Sequence, residues 1–375
     1  MAKLVEFCKI NMGQSPDSSS YNDIGKGMPF FQGNADFGNV HPKVRVWCDA
    51  PTKIAHPNDI LISVRAPIGA LNIANIECCI GRGLASLTAD KNKCHQKYLW
   101  YALESKVDEL NSKGTGSTFK AISKSVLFDT EIPLPSLNGQ KEISDIFDRI
   151  TSLIADRKQQ LKDLENLVKS RFIELFGNDD YPSEPLNNNI IEMFIGPFGS
   201  SLKNEYFVDK SDGYCMVYEQ KHAIQKTMSV PTRYVPKSKY EELKRFTVFG
   251  GDIIVSCRGT IGEVFTVPFD APMGIMHPSI MKIRLDTNKY NQKFFVFALE
   301  QYMNEHNAEA KGSGVKMAVS ATVLGQSDFV IPPMDVQNQF ATFVEQTDKL
   351  KFDNLTWLVK VQRFLYNTSC LGVCL

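Results

Sequence analysis

The sequence predicts an α+β protein in which two similar, mixed β-rich domains are separated by two long, antiparallel coiled-coil helices. Three observations support this prediction. An internal repeat has an offset of about 193 residues, each repeat contains short apolar runs bounded by Gly, Pro, Asn and Asp, and a heptad-spaced apolar stripe ends each repeat. The length of 375 residues leaves room for two or three domains.

The internal repeat consists of several strings that recur in the same order. Residues 58–69 read NDILISVRAPIG, and residues 251–262 read GDIIVSCRGTIG, which aligns their arginines. A Gly-rich segment follows in both halves, KGTGSTFKAIS at 113–123 and KGSGVKMAVS at 311–320. Chance matches would not stay collinear, so the two halves share one plan, a pseudo-twofold internal repeat.

The last part of each half predicts a long helix. Residues 138–176 contain no Pro, and their apolar residues recur for about five heptads. A second stripe spans 336 to about 365, with Thr347 and Asn354 at seam positions. Because neither stripe is stable in water, we expect an antiparallel pair about 58 Å long with a globular domain at each end. The predicted segments are a first β-rich domain at 1–136, a first spacer helix at 137–177, a second domain at 178–334, and a second spacer helix with its tail at 335–375.

Charge and cysteine content narrow the class of protein. The 42 Lys and Arg balance 42 Asp and Glu, which weakens a nucleic-acid hypothesis without removing it, because one face can still be basic. Nine cysteines without a Cys-x-x-Cys pair indicate reduced core thiols. With no apolar run of eighteen residues and no apolar leader at the N-terminus, we expect no membrane span and a cytoplasmic protein.

Motifs for catalysis are missing from the sequence. We find no G-x-x-x-x-G-K-[ST], no G-x-S-x-G and no H-E-x-x-H. A Gly-rich cofactor loop beside an (N/D)PP(Y/F) tetrapeptide, as a DNA methyltransferase needs, is also lacking. We therefore expect no catalytic residue, cofactor site or metal site in this chain, and a role in recognition rather than reaction.

The ordered set of motifs resembles the specificity subunit of type I restriction-modification systems. The resembling strings are GQSP at 13–16, GMPFFQG at 27–33, the paired strings of the repeat, an Ile-Pro segment in each half, and LVKSRFIELFG at 167–177. No single string is diagnostic, but the set recurs in order and covers about 365 residues.

The resemblance implies two target recognition domains, each reading one half of a bipartite, asymmetric site in double-stranded DNA. It also implies that the long helices set the spacer between the half-sites and dock two modification (methyltransferase) subunits. Those partners would carry the S-adenosylmethionine chemistry, restriction (translocase-nuclease) subunits would join them, and this subunit would be non-catalytic.

The C-terminus departs from the family pattern. A Leu-Val-Lys string follows Gln140 after 27 residues, but a similar string follows Gln337 after only 21. The last nine residues also lack the usual basic, Phe-Gly-containing end. A truncated or frame-shifted C-terminus would explain both features, and it would impair docking of the second modification subunit.

Candidate DNA-contacting residues follow from the chemistry of readout. Arg or Lys suits guanine, Asn or Gln suits adenine, and cations and hydroxyls suit phosphates. Arg65 and Arg258 are the best pair, since each follows a strand and precedes a Gly-containing turn; alternatively, each braces its own domain. Lys120 and Lys316 follow Gly-rich loops that can approach phosphates or are plain surface turns. The further candidates are Ser18, Tyr21, Gln32, Ser117, Ser200, Lys203, Lys221 and Arg233.

Other functions fit parts of the pattern. A non-DNA adaptor could use two heads on a coiled coil to space two protein partners. A methyltransferase or nuclease fragment could use these halves as its reader, but it would need the catalytic motifs that the sequence lacks. Salt-dependent, sequence-selective DNA binding would distinguish the specificity subunit from the adaptor.

Overall fold

The fold is described from a computed structural model, which covers residues 1–116, 120–178, 181–313 and 320–370. The chain divides into two units, Met1–Gln160 with Asn354–Leu375, and Leu161–Asp353. Each long helix is shared between them. The predicted division into four segments therefore stays a prediction, because the units follow contacts rather than the order of elements.

The first unit contains eleven strands among its described residues and begins a long helix. Its strands are β1 (Ala2–Lys3), β2 (Cys8–Met12), β3 (Tyr21–Asn22), β4 (Met28–Phe31), β5 (Val46–Cys48), β6 (Ile54–Ala55), β7 (Ile60–Ser63), β8 (Leu71–Ile73), β9 (Cys78–Ile80), β10 (Leu84–Ala89) and β11 (Glu131–Ile132). Its helices are α1 (Leu4–Phe7), α2 (Gln96–Glu104), α3 (Val107–Ser112), α4 (Lys124–Phe128) and the start of α5 (Leu137–Phe176), with short 3-10 turns at Ser18–Ser20 and Asn34–Asp36.

Two sheets and a two-stranded ladder build the first unit. The sheet orders are β2-β10-β7-β8 and β3-β5-β4-β9-β6, and β1 pairs with β11. In the second sheet β4 and β9 are parallel neighbours, and the other pairs are antiparallel. Strand β7 is buried along its whole length because it lies inside the first sheet and against the core. A continuous apolar run is expected for such a strand.

The second unit repeats this plan. Its strands are β12 (Ser183–Pro185), β13 (Ile190–Ile195), β14 (Cys215–Tyr218), β15 (Tyr234–Val235), β16 (Thr247–Val248), β17 (Ile253–Ser256), β18 (Val264–Thr266), β19 (Gly274–Met276), β20 (Ile280–Leu285) and β21 (Asp328–Val330). Its helices are α6 (Gln220–Gln225), α7 (Lys237–Glu242), α8 (Gln292–Ser313), α9 (Ala321–Gln326) and the start of α10 (Met334–Cys370), with 3-10 turns at Leu186–Asn188, Gly199–Ser201, Asn204–Tyr206 and Lys244–Phe246.

The sheets of the two units correspond, apart from one edge strand. The second unit has the orders β13-β20-β17-β18 and β15-β14-β19-β16, with β12 paired to β21. Strands β14 and β19 are parallel, as β4 and β9 are. An isolated bridge from Val208 to Tyr234 takes the place of β3. The α+β class and the internal repeat are therefore confirmed.

Matched glutamines join each long helix to the β-rich part of its unit. Gln140 and Gln337 are both fully buried. Each side-chain amide accepts a hydrogen bond from one backbone N–H and donates to two backbone carbonyls. The partners of Gln140 are His95, Lys93 and Pro135, all at 2.9 Å. The partners of Gln337 are Asn291, Lys289 and Pro332, at 2.8, 2.9 and 2.8 Å.

The two long helices pack against each other within both units. In the second unit Phe172 and Phe176 of α5 contact Phe340 of α10, with ring centroids 5.5 and 5.6 Å apart. In the first unit Arg157 of α5 donates to Asn354 of α10 at 2.7 Å. Contacts between the end of one helix and the start of the other are those of an antiparallel pair. The predicted helices at 138–176 and 336 to about 365 are thus slightly longer, at Leu137–Phe176 and Met334–Cys370.

The cysteines with described side chains lie in the core. These seven cysteines are buried and form no disulfide, and nothing is described for the side chain of Cys370. Burial raises the pKa of the Cys8 and Cys257 thiols to about 12, so both remain protonated near neutral pH. No helix among the described residues is long and apolar enough to cross a membrane.

Candidate nucleic-acid interface

In the first unit, the ends of three strands meet at one edge. Gln32 follows β4, Gly81 follows β9, and Arg65 lies two residues after β7. Backbone hydrogen bonds join these segments: Gly83 N donates to Gln32 O at 3.2 Å, and Val64 N donates to Gly83 O at 2.9 Å. Polar side chains from separate parts of the sequence are thereby brought together.

Two more cations belong to this edge. Lys120 lies beside Arg65, because Ala66 N donates to Lys120 O at 3.0 Å and a bridge pairs Arg65 with Ala121. Arg82 follows β9, and its backbone N–H donates to the Ser15 hydroxyl at 3.2 Å. We call Gln32, Arg65, Arg82 and Lys120 the first polar edge. All four side chains are exposed, and none has a hydrogen-bond or ion-pair partner in the described residues.

A concavity of about 300 Å³ adjoins the first polar edge. Tyr21 lines it, with the ring 4.8 Å from that of Phe30 and the hydroxyl donating to Pro16 O at 2.9 Å. The remaining lining residues are Phe30, Gln32, Gly33, Asn34, Ala35, Asp36, Arg45 and Val46. Ser18 lies apart from this wall, exposed at the start of a 3-10 turn capped by Asp17.

An ion pair lies in the wall of this concavity. The Asp36 carboxylate is almost fully buried and accepts hydrogen bonds from the backbone N–H of Gln32 at 2.7 Å and from that of Gly33 at 3.3 Å. Arg45 donates to the same carboxylate through Nε at 3.1 Å and through Nη2. Asp36 thus fixes the Arg45 guanidinium beside Gln32.

The second unit has a corresponding edge with different side chains. Glu219 follows β14, His277 follows β19, and Arg258 lies two residues after β17. His277 N donates to Tyr218 O at 2.9 Å, and Cys257 N donates to Ser279 O at 2.8 Å. These bonds bring Glu219, His277 and Arg258 to one edge, as their counterparts do in the first unit.

A carboxylate organises the cations of this edge. Glu219 pairs with Lys221 at 2.7 Å and with Arg233. Arg233 also donates to Asn204 at 3.2 Å, and its guanidinium carbon lies 3.8 Å from the Phe207 ring centroid. Burial would raise the pKa of Glu219, but hydrogen bonds from Arg233 and Lys221 outweigh burial and hold the pKa below its usual range. We call Glu219, Lys221, Arg233 and Arg258 the second polar edge.

Arg258 differs from the other cations of the second polar edge. Its side chain is exposed and has no hydrogen bond or ion pair within the described residues, and the same is true of the Arg65 side chain in the first unit. The geometry of these two arginines therefore does not favour the alternative in which each braces loop carbonyls. Burial lowers the pKa of nearby His277, and the charges of Arg233, Arg258 and Lys221 add to this effect while Glu219 opposes it.

The loop after β13 borders the second polar edge. A Cβ on Gly196 would lie 2.3 Å from His277 O, so this loop packs tightly on the residues after β19. Ser200 is exposed on the same loop. Lys203 is exposed beside Asn204, and Glu205 lies 3.9 Å from its Nζ. Lys203 is thus next in sequence to Asn204, which binds Arg233, whereas Ser117 and Lys316 lie outside the described residues.

Three residues at these edges were not singled out from the sequence: Arg82, Arg45 and Glu219. Arg82 had a signal, since it stands between Gly81 and Gly83 in a turn that follows a strand. Arg45 and Glu219 had none, because their roles depend on partners that only strand pairing brings close. Among the described residues, no group of three or more His, Cys, Asp or Glu side chains is placed to hold a metal.

The duplicated fold, with distinct polar edges at equivalent strand ends, defines a protein built from two copies of one recognition module. A family model named "type I restriction modification DNA specificity domain" matches residues 1–166 and 209–357. The chain belongs to this family. Its membership confirms the resemblance and the prediction of a non-catalytic specificity subunit with two specificity domains.

Individual relatives match one part of the chain. A protein of Methanocaldococcus jannaschii, assigned as the specificity subunit of type I restriction enzyme MjaX, is 43% identical over 164 residues, which are 44% of this chain and 39% of that protein. The MjaIX specificity subunit of the same organism is 32% identical over 131 residues, or 34% of this chain and 29% of its own length. The matched part is thus well under half of each of these relatives.

A solved structure matches nearly the whole fold. The crystal structure of a type I restriction-modification S subunit from M. genitalium aligns over 98% of this chain and 94% of its own, with a TM-score of 0.56 and 16% identity. At this identity the match concerns the fold alone. It confirms the predicted α+β architecture with its internal repeat.

Proposed function

We propose that this chain is the DNA sequence-recognition subunit of a type I restriction-modification complex. Each specificity domain would read one half of a bipartite, asymmetric site in double-stranded DNA. The predicted segments 1–136 and 178–334 would supply the reading surfaces, and 137–177 and 335–375 would set the spacer. The helices would also dock two modification subunits, which carry S-adenosylmethionine chemistry and are joined by restriction subunits.

One observation supports this proposal above the others. Apart from the edge strand β3, the two units have matching strand orders, but they place different polar side chains at equivalent strand ends. A duplicated scaffold with dissimilar polar edges suits a target whose two halves differ in sequence. Arginine, lysine and amide side chains are the groups that read base edges and phosphates. A protein adaptor would not need arginine and lysine side chains at both edges.

Co-expression with the modification subunit of the same system, followed by genome-wide mapping of methylated adenines, tests the proposal. We expect a two-part methylation motif that disappears when this chain is deleted. Co-purification without any motif would point to the departure at the C-terminus. Failure of the two proteins to associate would contradict the docking role and favour the adaptor.

A further inference from the structure

Each unit holds one arginine against an acidic side chain at the same place in the fold. Arg45 directly precedes β5, and Arg233 directly precedes β15. Strands β5 and β15 are the antiparallel neighbours of β4 and β14, the two strands that end at the polar edges. The acids, Asp36 and Glu219, both come from the segment that follows that central strand.

The first of these arginines is fixed but accessible. Asp36 has a 9% exposed side chain, whereas that of Arg45 is 58% exposed. Since Asp36 is itself held by two backbone N–H groups, it is a rigid anchor for Nε and Nη2. A guanidinium has five N–H donors, so others remain for a ligand in the adjoining concavity.

The second arginine is held on three sides. Glu219 and Asn204 accept hydrogen bonds from different terminal nitrogens of Arg233, and Phe207 stacks beneath the guanidinium plane. The Glu219 side chain is 10% exposed, and that of Arg233 is 33% exposed. No matched string of the repeat includes this arrangement, so the two units arrive at it with different residues and spacings.

A paired arginine suits a base edge better than a phosphate. The adjacent carboxylate cancels most of the attraction for a phosphate and would repel it at short range. The directional N–H donors remain, and guanine offers two neutral acceptors, O6 and N7, that match the arginine fork. Because the side chain is already ordered, little conformational freedom is lost when it binds. Arg65 and Arg258, which have no such partner, suit phosphate contacts instead.

We propose that Arg45 and Arg233 each recognise a guanine in their own half-site, and that Asp36 and Glu219 are the residues that position them. This inference rests on the proposed function. To the proposed function it adds one residue that determines a base in each half-site, and it identifies that base as guanine. The guanidinium would donate two parallel hydrogen bonds to O6 and N7, while the carboxylate holds the opposite side of the fork.

The test is selection of binding sites from a random double-stranded DNA pool by the complex of the full chain with its modification subunit. Arg45→Lys and Arg233→Lys keep the charge but remove the fork. We expect each to lower guanine preference at one position of one half-site by roughly 5- to 150-fold, as for loss of a bidentate pair. The other half-site and the salt dependence of binding should stay unchanged. Arg245→Lys, at an exposed arginine of the second unit that belongs to neither polar edge, is the matched control.

Asp36→Asn and Glu219→Gln test positioning. Each should weaken the same guanine preference less than the arginine variant does, again without changing the salt dependence. Thermal unfolding checks that the variants fold. If Asp36→Asn does not fold, the two lysine variants test the inference without it. An unchanged guanine preference in both lysine variants would overturn the inference, as would a uniform loss of affinity with a smaller salt slope. If the wild-type complex selects no sequence, the proposed function fails as well.

Discussion

In the first unit Gln32 follows the central strand β4, and in the second unit Glu219 follows the equivalent strand β14. Around Gln32 the cations Arg65, Arg82 and Lys120 have no partners in the described residues, whereas Glu219 pairs with Lys221 and Arg233. The buried glutamines of the two units, in contrast, make the same three hydrogen bonds. The repeat thus preserves the scaffold and varies the surface, as expected if only the surface meets the target.

The comparison also extends to how each unit packs on the long helices. Phe340 of α10 is fully buried against a cluster of aromatic rings in the second unit. Ile143 of α5 holds the equivalent position, three residues after Gln140, and packs in the core of the first unit, which is mostly aliphatic. The same step of the repeat is therefore aromatic in one unit and aliphatic in the other.

The largest predicted effect concerns this pair. Phe340→Ala should lower the free energy of unfolding by about 3–5 kcal/mol, because it removes a ring from a closed aromatic cluster. Ile143→Ala should cost less, about 2–3 kcal/mol, since fewer buried atoms are lost. Urea unfolding of the full chain, monitored by circular dichroism, measures both. Equal losses in the free energy of unfolding, or a larger loss at Ile143, would contradict the expectation that Phe340 contributes more buried contact than Ile143.

A second prediction tests whether the scaffold is equivalent in the two units. Gln140→Leu and Gln337→Leu each leave one backbone N–H and two carbonyls without their partner, so we expect each to cost about 2–3 kcal/mol. The same urea measurement applies. Gln346→Leu, on an exposed stretch of α10, is the control and should change stability much less. Unequal losses in the free energy of unfolding at the two buried glutamines would show that equivalent hydrogen bonds differ in their contribution to stability.

The sequence was sufficient to predict features that both halves repeat. The paired strings predicted β7 and β17 and the arginines that follow them, and the apolar stripes predicted the two long helices. The Arg45–Asp36 and Arg233–Glu219 pairs could not be predicted, because their partners lie 9 and 14 residues apart on loops that differ between the halves. Their contact depends on which strands are neighbours, which the apolar pattern of a single strand does not specify.

The positions that follow the central strands were also beyond prediction. Gln32 stood in a matched family motif, but its counterpart Glu219 stands in a stretch with no recognisable partner string. Only the parallel pairing of β4 with β9 and of β14 with β19 makes the two residues equivalent. Parallel neighbours are distant in sequence, so their register leaves no local signal. The varied surface is therefore the part that sequence reasoning located least well.

The smallest predicted effect is a pH dependence that two histidines of the second unit produce. Burial lowers the pKa of His222 and of His277, where the first unit has Gly81 in place of His277. The unfolded chain therefore takes up protons first as the pH falls through about 6.5, and stability decreases there. The Glu219 contribution, from a lowered carboxyl pKa, is lost only at lower pH. Urea unfolding at about pH 7.5 and 5.5 should show that the free energy of unfolding is smaller at the lower pH, and that His222→Asn and His277→Asn reduce this difference. An unchanged difference in both variants would contradict the assignment of the pH dependence to these histidines.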